Sequence, residues 1–437
     1  MIRVPEVVHT TWLRTLPDGT IKQGNPFTGD QVWTIPGRAH RPTAIAPAQV
    51  RPLEPGQADR ACAFCSDRLV ETPPEKVRSV WRGTAYERLR HVLPGQGSDA
   101  PADFRRTANL FEIVSADYWR VNHGRTMPPQ ARAWWEAYAA APGGRGQLVT
   151  LIRQRLGAAS DGLSEQALIE RAQDFFVSTH DLVMGRRHYV DGALTDDQLA
   201  SSGSLTPTEH REFIALTAEA VSDIYRANPA VQYVSTFQNW LRPAGASFDH
   251  LHKQVVGIDE HGGRIDQAMA QARQDPSIWN ARVLDPAVRL GLVIAENDGA
   301  VAIAGVGHRF PSVEVWSLAA TGVPGAAREE EQHAVADLLH ALHAATGARV
   351  PSNEEWHHAP PDVDVRMPWH VVLKWRISTP AGFEGDTKIY TNTIGPWDVR
   401  ERMVTALGPL RADGYLASEI RIGDECRISE GALPRAL

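Results

Sequence analysis

The stretch His250-Leu251-His252-Lys253-Gln254 carries three side chains able to do chemistry at phosphorus. On an extended segment, alternate residues share a face, so both imidazoles and the amide point the same way. One imidazole can bind a metal or brace the backbone while the other attacks phosphorus. An unprotonated imidazole is a nucleophile able to form a covalent intermediate. Gln254 can donate an amide N–H to a phosphoryl oxygen. Seventeen histidines among 437 residues make chance pairs common, so the motif gains meaning only from its surroundings.

Cys62-Ala63-Phe64-Cys65 offers two thiolates at the spacing of a metal knuckle. No other C-x-x-C exists, so further ligands must be histidines or carboxylates, with His188 and His250 as candidates. The alternatives are two buried cysteines or a redox dithiol. Arg38 and Arg41 are guanidinium forks suited to phosphate oxygens. Asn239 and Ser247 offer hydrogen bonds to ribose or phosphate, and Gly245 lets backbone approach a ligand closely. His333, His340 and His343 lack an acidic partner at metalloprotease spacing and read as packing or surface. Trp356-His357-His358 and Trp369-His370 read as core or the wall of a pocket.

These groups need elements to hold them. Asn25-Pro26-Phe27-Thr28-Gly29-Asp30 is turn chemistry, and a hairpin is expected over residues 22–42. Residues 126–175 read as mostly helical, with one helix over Ala131–Ala141 and another starting near Ser164. The sharpest helix signal is Thr206-Pro207-Thr208-Glu209, a capping box with proline in the first turn. Phe213, Leu216, Ala220 and Ile224 form its buried stripe, and Asn228-Pro229 stops it. Val231–Phe237 then reads as a strand leading to the histidine motif. Further on, Val313–Trp316 and Trp369–Ile377 look like strands and Arg328–Thr346 like a helix, so a duplicated unit is expected.

Apolar residues make up 43% of the chain, enough for a sizeable core, and the net charge is −7. That charge argues against broad nucleic-acid or anionic-membrane binding, so any phosphate site must be built locally. No apolar run suggests a secretory signal or a membrane span. Three cysteines make no disulfide framework, and a reducing cytoplasm is the expected location.

Taken in order, these signals resemble the galactose-1-phosphate uridylyltransferase branch of the histidine-triad superfamily. Asn25-Pro26-Phe27-Thr28-Gly29 and Arg38-Ala39-His40-Arg41-Pro42 match its opening motifs. Cys62 and Cys65 match its zinc knuckle, followed by Thr72-Pro73-Pro74-Glu75, and His180-Asp181-Leu182 matches a strand leading to a ligand histidine. Phe237, Asn239, Gly245, Ser247, His250, His252 and Gln254 match the catalytic signature, and Ala381-Gly382-Phe383-Glu384 matches the second repeat.

The resemblance implies an α+β fold of two histidine-triad-like repeats, each a mostly antiparallel sheet with flanking helices. It places a catalytic half at 1–260, containing the helical insertion, and a degenerate half at 261–437. It implies structural Zn2+ on Cys62, Cys65, His188 and His250. His252 would attack the α-phosphorus of a nucleoside-diphosphate sugar and carry the nucleotide. Gln254 and Ser247 would hold phosphoryl oxygens, Arg38 and Arg41 would reach the second phosphates, Asn239 with Gly245 would border the nucleotide, and Phe383 and Glu384 would face the sugar. The partners would be a nucleotide sugar with a sugar phosphate or phosphate, in a chain compatible with a homodimer.

The sequence departs from the pattern at several places. Leu241 stands at a usual glycine, Leu251 replaces a proline and Lys253 adds a charge. The interval from His180 to His188 is one residue short, which leaves His123 as an alternative ligand. Pro368 stands where the second repeat would begin its own histidine pair. Three readings follow: a nucleotidyltransferase working through nucleotidyl-His252, a phosphorylase splitting a nucleoside-diphosphate compound with phosphate, or a zinc-stabilised nucleotide-binding protein without catalysis.

Overall fold

The computed structural model describes residues 10–37, 49–96 and 101–437. The N-terminal strands are β1 (Leu13–Thr15), β2 (Ile21–Gly24), β3 (Gln31–Thr34), β4 (Glu75–Trp81), β5 (Tyr86–Arg90), β6 (Phe104–Ala108), β7 (His180–Gly185), β8 (Tyr233–Trp240) and β9 (His252–Ile258). The C-terminal strands are β10 (Val293–Glu296), β11 (Ala300–Ala304), β12 (Ser312–Ser317), β13 (Ser352–His357), β14 (His370–Trp375), β15 (Ile389–Asn392) and β16 (Arg421–Ile422). Their pairings are antiparallel except for β15 on β3, and the fold is α+β.

Twelve strands form one sheet in the order β5-β4-β6-β7-β9-β8-β13-β14-β12-β11-β10-β16. The order reads alike outward from the central β8–β13 pair. Phe237 faces Glu355 across that pair, Phe237 also faces Gln254 on β9, and Glu355 also faces Val372 on β14. A pseudo-two-fold axis through the Phe237–Glu355 pair therefore relates Gln254 to Val372 and His252 to His370. The two halves expected from the sequence share one continuous sheet. Residues 13–34 join the C-terminal half in a separate four-stranded sheet, β1-β2-β3-β15.

Alternation sorts the sheet into two faces. One carries His252, Gln254, Asn239, Phe237, Glu355, His357 and His370. The other is covered by the helices Pro207–Ala227, Glu329–Thr346 and Pro396–Ala412. The first of these starts as its sequence predicts: Glu209 N–H donates to Thr206 Oγ1 at 3.2 Å and Thr206 N–H to Glu209 Oε2 at 2.7 Å. Phe213, Leu216, Ala220 and Ile224 are all buried. The helical region is longer than expected, running from Ala116–His123 to Asp174–Val177. Its helix around Trp134 spans Pro129–Ala140, and the one capped by Ser164 ends at Arg171. It keeps its own core of Trp134, Tyr138, Leu148, Leu151, Leu168 and Phe175. Among the described residues, no helix is long and apolar enough to cross a membrane.

Candidate functional site

The Cys62–Cys65 loop packs on Leu182 and Met184 of β7 and faces His250, just before β9. Cys62, Cys65, His188 and His250 are buried, with one ligand atom from each inside a 4.8 Å span. The two sulfur atoms are 3.8 Å apart, Cys62 Sγ is 3.5 Å from His250 Nδ1, and Cys65 Sγ is 3.6 Å from His188 Nδ1. In a tetrahedron with metal–sulfur bonds of about 2.3 Å and metal–nitrogen bonds of about 2.0 Å, those edges come to about 3.8 and 3.5 Å. The donor set thus fits a tetrahedral metal. His250 Nε2–H donates to the Gly185 carbonyl at 2.7 Å, which fixes the tautomer and leaves Nδ1 as the ligand atom. The Cys65 thiolate is favoured by the Cys62 thiol and then by both imidazoles, whereas Cys62 is pushed up by Cys65 and by burial. A divalent cation would let both ionise. His123 lies elsewhere, bonded to Asp259 at 2.8 Å.

His252 opens β9. Its Nδ1–H donates to the His250 carbonyl at 2.7 Å, so the lone pair sits on Nε2. Burial pushes its pKa down to about 4, which keeps the ring neutral. Phe64, between the two cysteines, sets its ring edge toward His252 at a centroid distance of 5.3 Å. One loop therefore supplies two candidate metal ligands and a wall for the candidate nucleophile.

Gln254 has a partner that the sequence gave no reason to single out. Ile113 N–H donates to His180 Nδ1 at 3.1 Å, so His180 carries its proton on Nε2. That Nε2–H donates to Gln254 Oε1 at 3.0 Å, with Asn109 Nδ2 also 3.0 Å from Nε2. The Gln254 carbonyl is tethered and its NH2 faces away from the tether. Burial holds the His180 pKa down to about 4, so the ring is neutral at neutral pH and Nδ1 stays free to accept from Ile113. His180 is visible in the sequence only as the start of a strand. The β7–β9 register, which sets Leu182 against Gln254, brings the two side chains together.

Asn239 Oδ1 accepts from Asn353 Nδ2 at 2.7 Å across the central strand pair. Gly245 has φ +91°, a conformation that favours glycine, and a Cβ there would be 3.9 Å from Asn239 Nδ2. Ser247 is exposed on the loop entering His250. Next to β9 on the same face, a groove of about 510 Å³ is lined by Phe237, Asn239, Asn353, Glu355 and Arg376. Phe383 and Glu384 lie on the helix Gly382–Thr387 beside the four-stranded sheet. Glu384 accepts from Ala381 N–H at 3.0 Å and from Thr391 Oγ1 at 2.6 Å, a local capping arrangement. Among the described residues neither touches the histidine strand. Arg38 and Arg41 lie outside the described residues.

A family model described as a domain of unknown function, DUF4921, matches residues 16–434. The chain belongs to the DUF4921 family. No curated protein matches it. Among solved structures, an ADP-glucose phosphorylase from Arabidopsis thaliana with bound ADP-glucose is similar over 88% of this chain and 97% of its own, at 16% identity and a TM-score of 0.57. A GalT-like protein from the same plant is similar over 87% and 97%, at 16% identity and a TM-score of 0.55. This DUF4921 chain therefore has the GalT-like fold expected from its motifs.

Proposed function

We propose that this chain is a nucleotidyltransferase acting on a nucleoside-diphosphate sugar through a covalent nucleotidyl-His252. The observation that carries the reading is the state of His252: neutral, with Nδ1–H held by a backbone carbonyl and the Nε2 lone pair free. In the first step Nε2 forms a bond to the α-phosphorus, and the bond from that phosphorus to the bridging oxygen breaks. The sugar 1-phosphate leaves with the electron pair. In the second step an acceptor phosphate oxygen attacks, and the nitrogen–phosphorus bond breaks. Gln254, tethered by His180, turns its N–H groups toward the phosphoryl oxygens, and the groove beside β9 leaves room for the departing sugar phosphate. Positioning and charge stabilisation are most of what such a transfer requires. Cys62, Cys65, His188 and His250 would hold Zn2+ in a structural role, anchoring the strand that presents His252.

Two acceptors fit this chemistry, a sugar phosphate or inorganic phosphate. The similarity to an ADP-glucose phosphorylase favours keeping phosphate as the second. Incubation with nucleotide sugars labelled in the α-phosphate should give an acid-labile, base-stable labelled protein. Release by a hexose 1-phosphate or by phosphate then separates the two reactions. His252→Gly should abolish labelling with metal content unchanged, whereas Cys62→Ser should lower metal content and melting temperature. Full labelling of His252→Gly would refute the proposal. No labelling with any nucleotide sugar would favour a non-catalytic nucleotide-binding protein.

A further inference from the structure

The pseudo-two-fold axis places His370 where the other half has His252, and part of the local geometry is kept. His370 Nδ1–H donates to the Pro368 carbonyl at 2.9 Å, two residues back, as His252 does to His250. The chemistry around it is not kept. Pro368 replaces the first histidine and Val372 the glutamine. Among the described residues the only cluster able to hold a metal is that of Cys62, Cys65, His188 and His250.

In place of phosphoryl chemistry, this half has an aromatic cavity closed by the Asn25–Asp30 turn. The Trp316 indole lies flat on His370, 3.8 Å away and 4° from parallel. Trp279 is 6.4 Å from Trp316, and Phe27 is 5.3 Å from Trp279. The cavity lined by these rings has a volume of about 80 Å³, the size of a small head group and too small for a nucleotide sugar.

Glu314 also lines this cavity and is 7% exposed. It accepts from His308 Nε2 and Trp316 Nε1, each at 2.8 Å. Among the described residues no lysine or arginine pairs with it. Burial would raise its pKa, but His308 overcomes this and the carboxyl is held below its usual value, so it is a carboxylate at neutral pH. Gly305 makes room for the arrangement: a Cβ there would be 2.9 Å from Glu314 Oε1 and 2.4 Å from Ser312 Oγ. Its one ion-pair partner among the described residues is the His308 imidazole at 2.8 Å, with no guanidinium or ammonium to share the charge, and a buried carboxylate so paired is costly. Aromatic faces around it are the usual housing for an organic cation. At the lip stands Arg264, in the first turn of the helix Gly263–Gln274, exposed and with no hydrogen-bond or ion-pair partner among the described residues. It would repel a bare cation and attract an anionic substituent.

We propose that this cavity is a binding site for a small zwitterion, with an organic ammonium enclosed by Trp316, Trp279 and Phe27 over Glu314 and a phosphate or carboxylate turned out to Arg264. His252 does not line the cavity, but Arg264 and His357 also border the groove given above to the departing sugar phosphate, so only the ammonium end of the site is independent of that reading.

Isothermal titration calorimetry on the full, metal-loaded chain tests it with four probes. Phosphocholine and glycine betaine carry both charges, choline only the cation and glycerol phosphate only the anion. The zwitterion with the fitting anion should bind one to one, about tenfold tighter than choline or glycerol phosphate. Whether phosphocholine or betaine wins identifies the outer group. Arg264→Ala should reduce the zwitterion to about the affinity of choline, while choline itself binds no more weakly than before and gains from the lost repulsion. Glu314→Gln should weaken every cation-bearing probe by about tenfold or more. Its melting temperature is recorded alongside, and if that variant fails to fold, the exposed Arg264→Ala still decides. Saturation by none of the four probes overturns the proposal. So does binding by glycerol phosphate as tight as by either zwitterion, or affinities unchanged in Arg264→Ala.

Discussion

His252 and Gln254 stand two residues apart on one strand, yet each owes its chemical state to a group outside the pair. His252 is oriented by a carbonyl two residues earlier, a bond local to the chain. Gln254 is oriented by His180, which lies 74 residues away in sequence. An amide can present either its oxygen or its nitrogen, and only the second helps an anionic phosphoryl group. His180→Ala should therefore lower the rate of nucleotidyl-enzyme formation by about tenfold to a hundredfold while KM changes little. His180→Gln, which can still donate an N–H to Gln254, should recover part of the loss. A rate unchanged in His180→Ala, or falling only in step with melting temperature, would assign His180 a purely structural part.

The connection from β8 to β9 shows what an element costs when a residue type is wrong for its backbone. Leu241 has φ 65° and ψ 155°, a region that side chains other than glycine rarely enter. A glycine, which the resemblance would put here, would enter that region without strain. Leu241→Gly should raise unfolding stability by about 1 kcal/mol, the strain relieved less the entropy glycine adds to the unfolded chain. Denaturant unfolding checks this, and a loss of stability would mean that the half-buried Leu241 side chain contributes more than the strain removes. The helix Pro207–Ala227 is the opposite case. Capping box, first-turn proline and apolar stripe all agree, and the structure follows them.

At the scale of the molecule, the two halves are fastened beneath the strand that carries His252. Lys253, between His252 and Gln254, points to the helix side and pairs with Glu354 of β13 at 2.6 Å, both side chains 0% exposed. Burial lowers the Lys253 pKa. Burial would raise Glu354, but Lys253 and then His343 hold it well below the usual range, so the pair is ionised. Lys253→Met should cost about 3–5 kcal/mol because it strands the carboxylate, and adding Glu354→Gln should restore much of that. Thermal unfolding of the single and double variants measures it; equal losses in both would contradict the account. Many of the buried histidines are held below their usual pKa, among them His180, His340 and His370 with pKa about 4, and His358 with about 3. Unfolded histidine titrates near 6.5, so in the interval below that value the unfolded chain binds protons that the fold refuses. Their contribution is fully present above about pH 6.5 and is lost as pH falls through about 4, by up to about 1.4 kcal/mol per pH unit for each. Melting temperature should drop steeply between about pH 6.5 and 4.5, and a flat profile would count against it.

The local sequence determined what local geometry controls. Two-residue spacing put His252 and Gln254 on one face, the Cys62-to-Cys65 spacing offered a candidate metal knuckle, and Thr206 through Glu209 set a helix start. It also showed in Pro368 that the second half departs from the pattern, whereas the match of Val372 to Gln254 came only from strand register. Tertiary structure decided what depends on register and on contacts distant along the chain. It chose His188 over His123 for the thiol cluster, gave Gln254 its tether, and directed Glu384 to capping within its own chain. It placed a buried carboxylate among tryptophans in the half whose motif had decayed. Side-chain periodicity is a property of one strand, whereas the pairing of β8 with β13 is a property of the whole chain, and only that pairing placed the two histidine faces side by side.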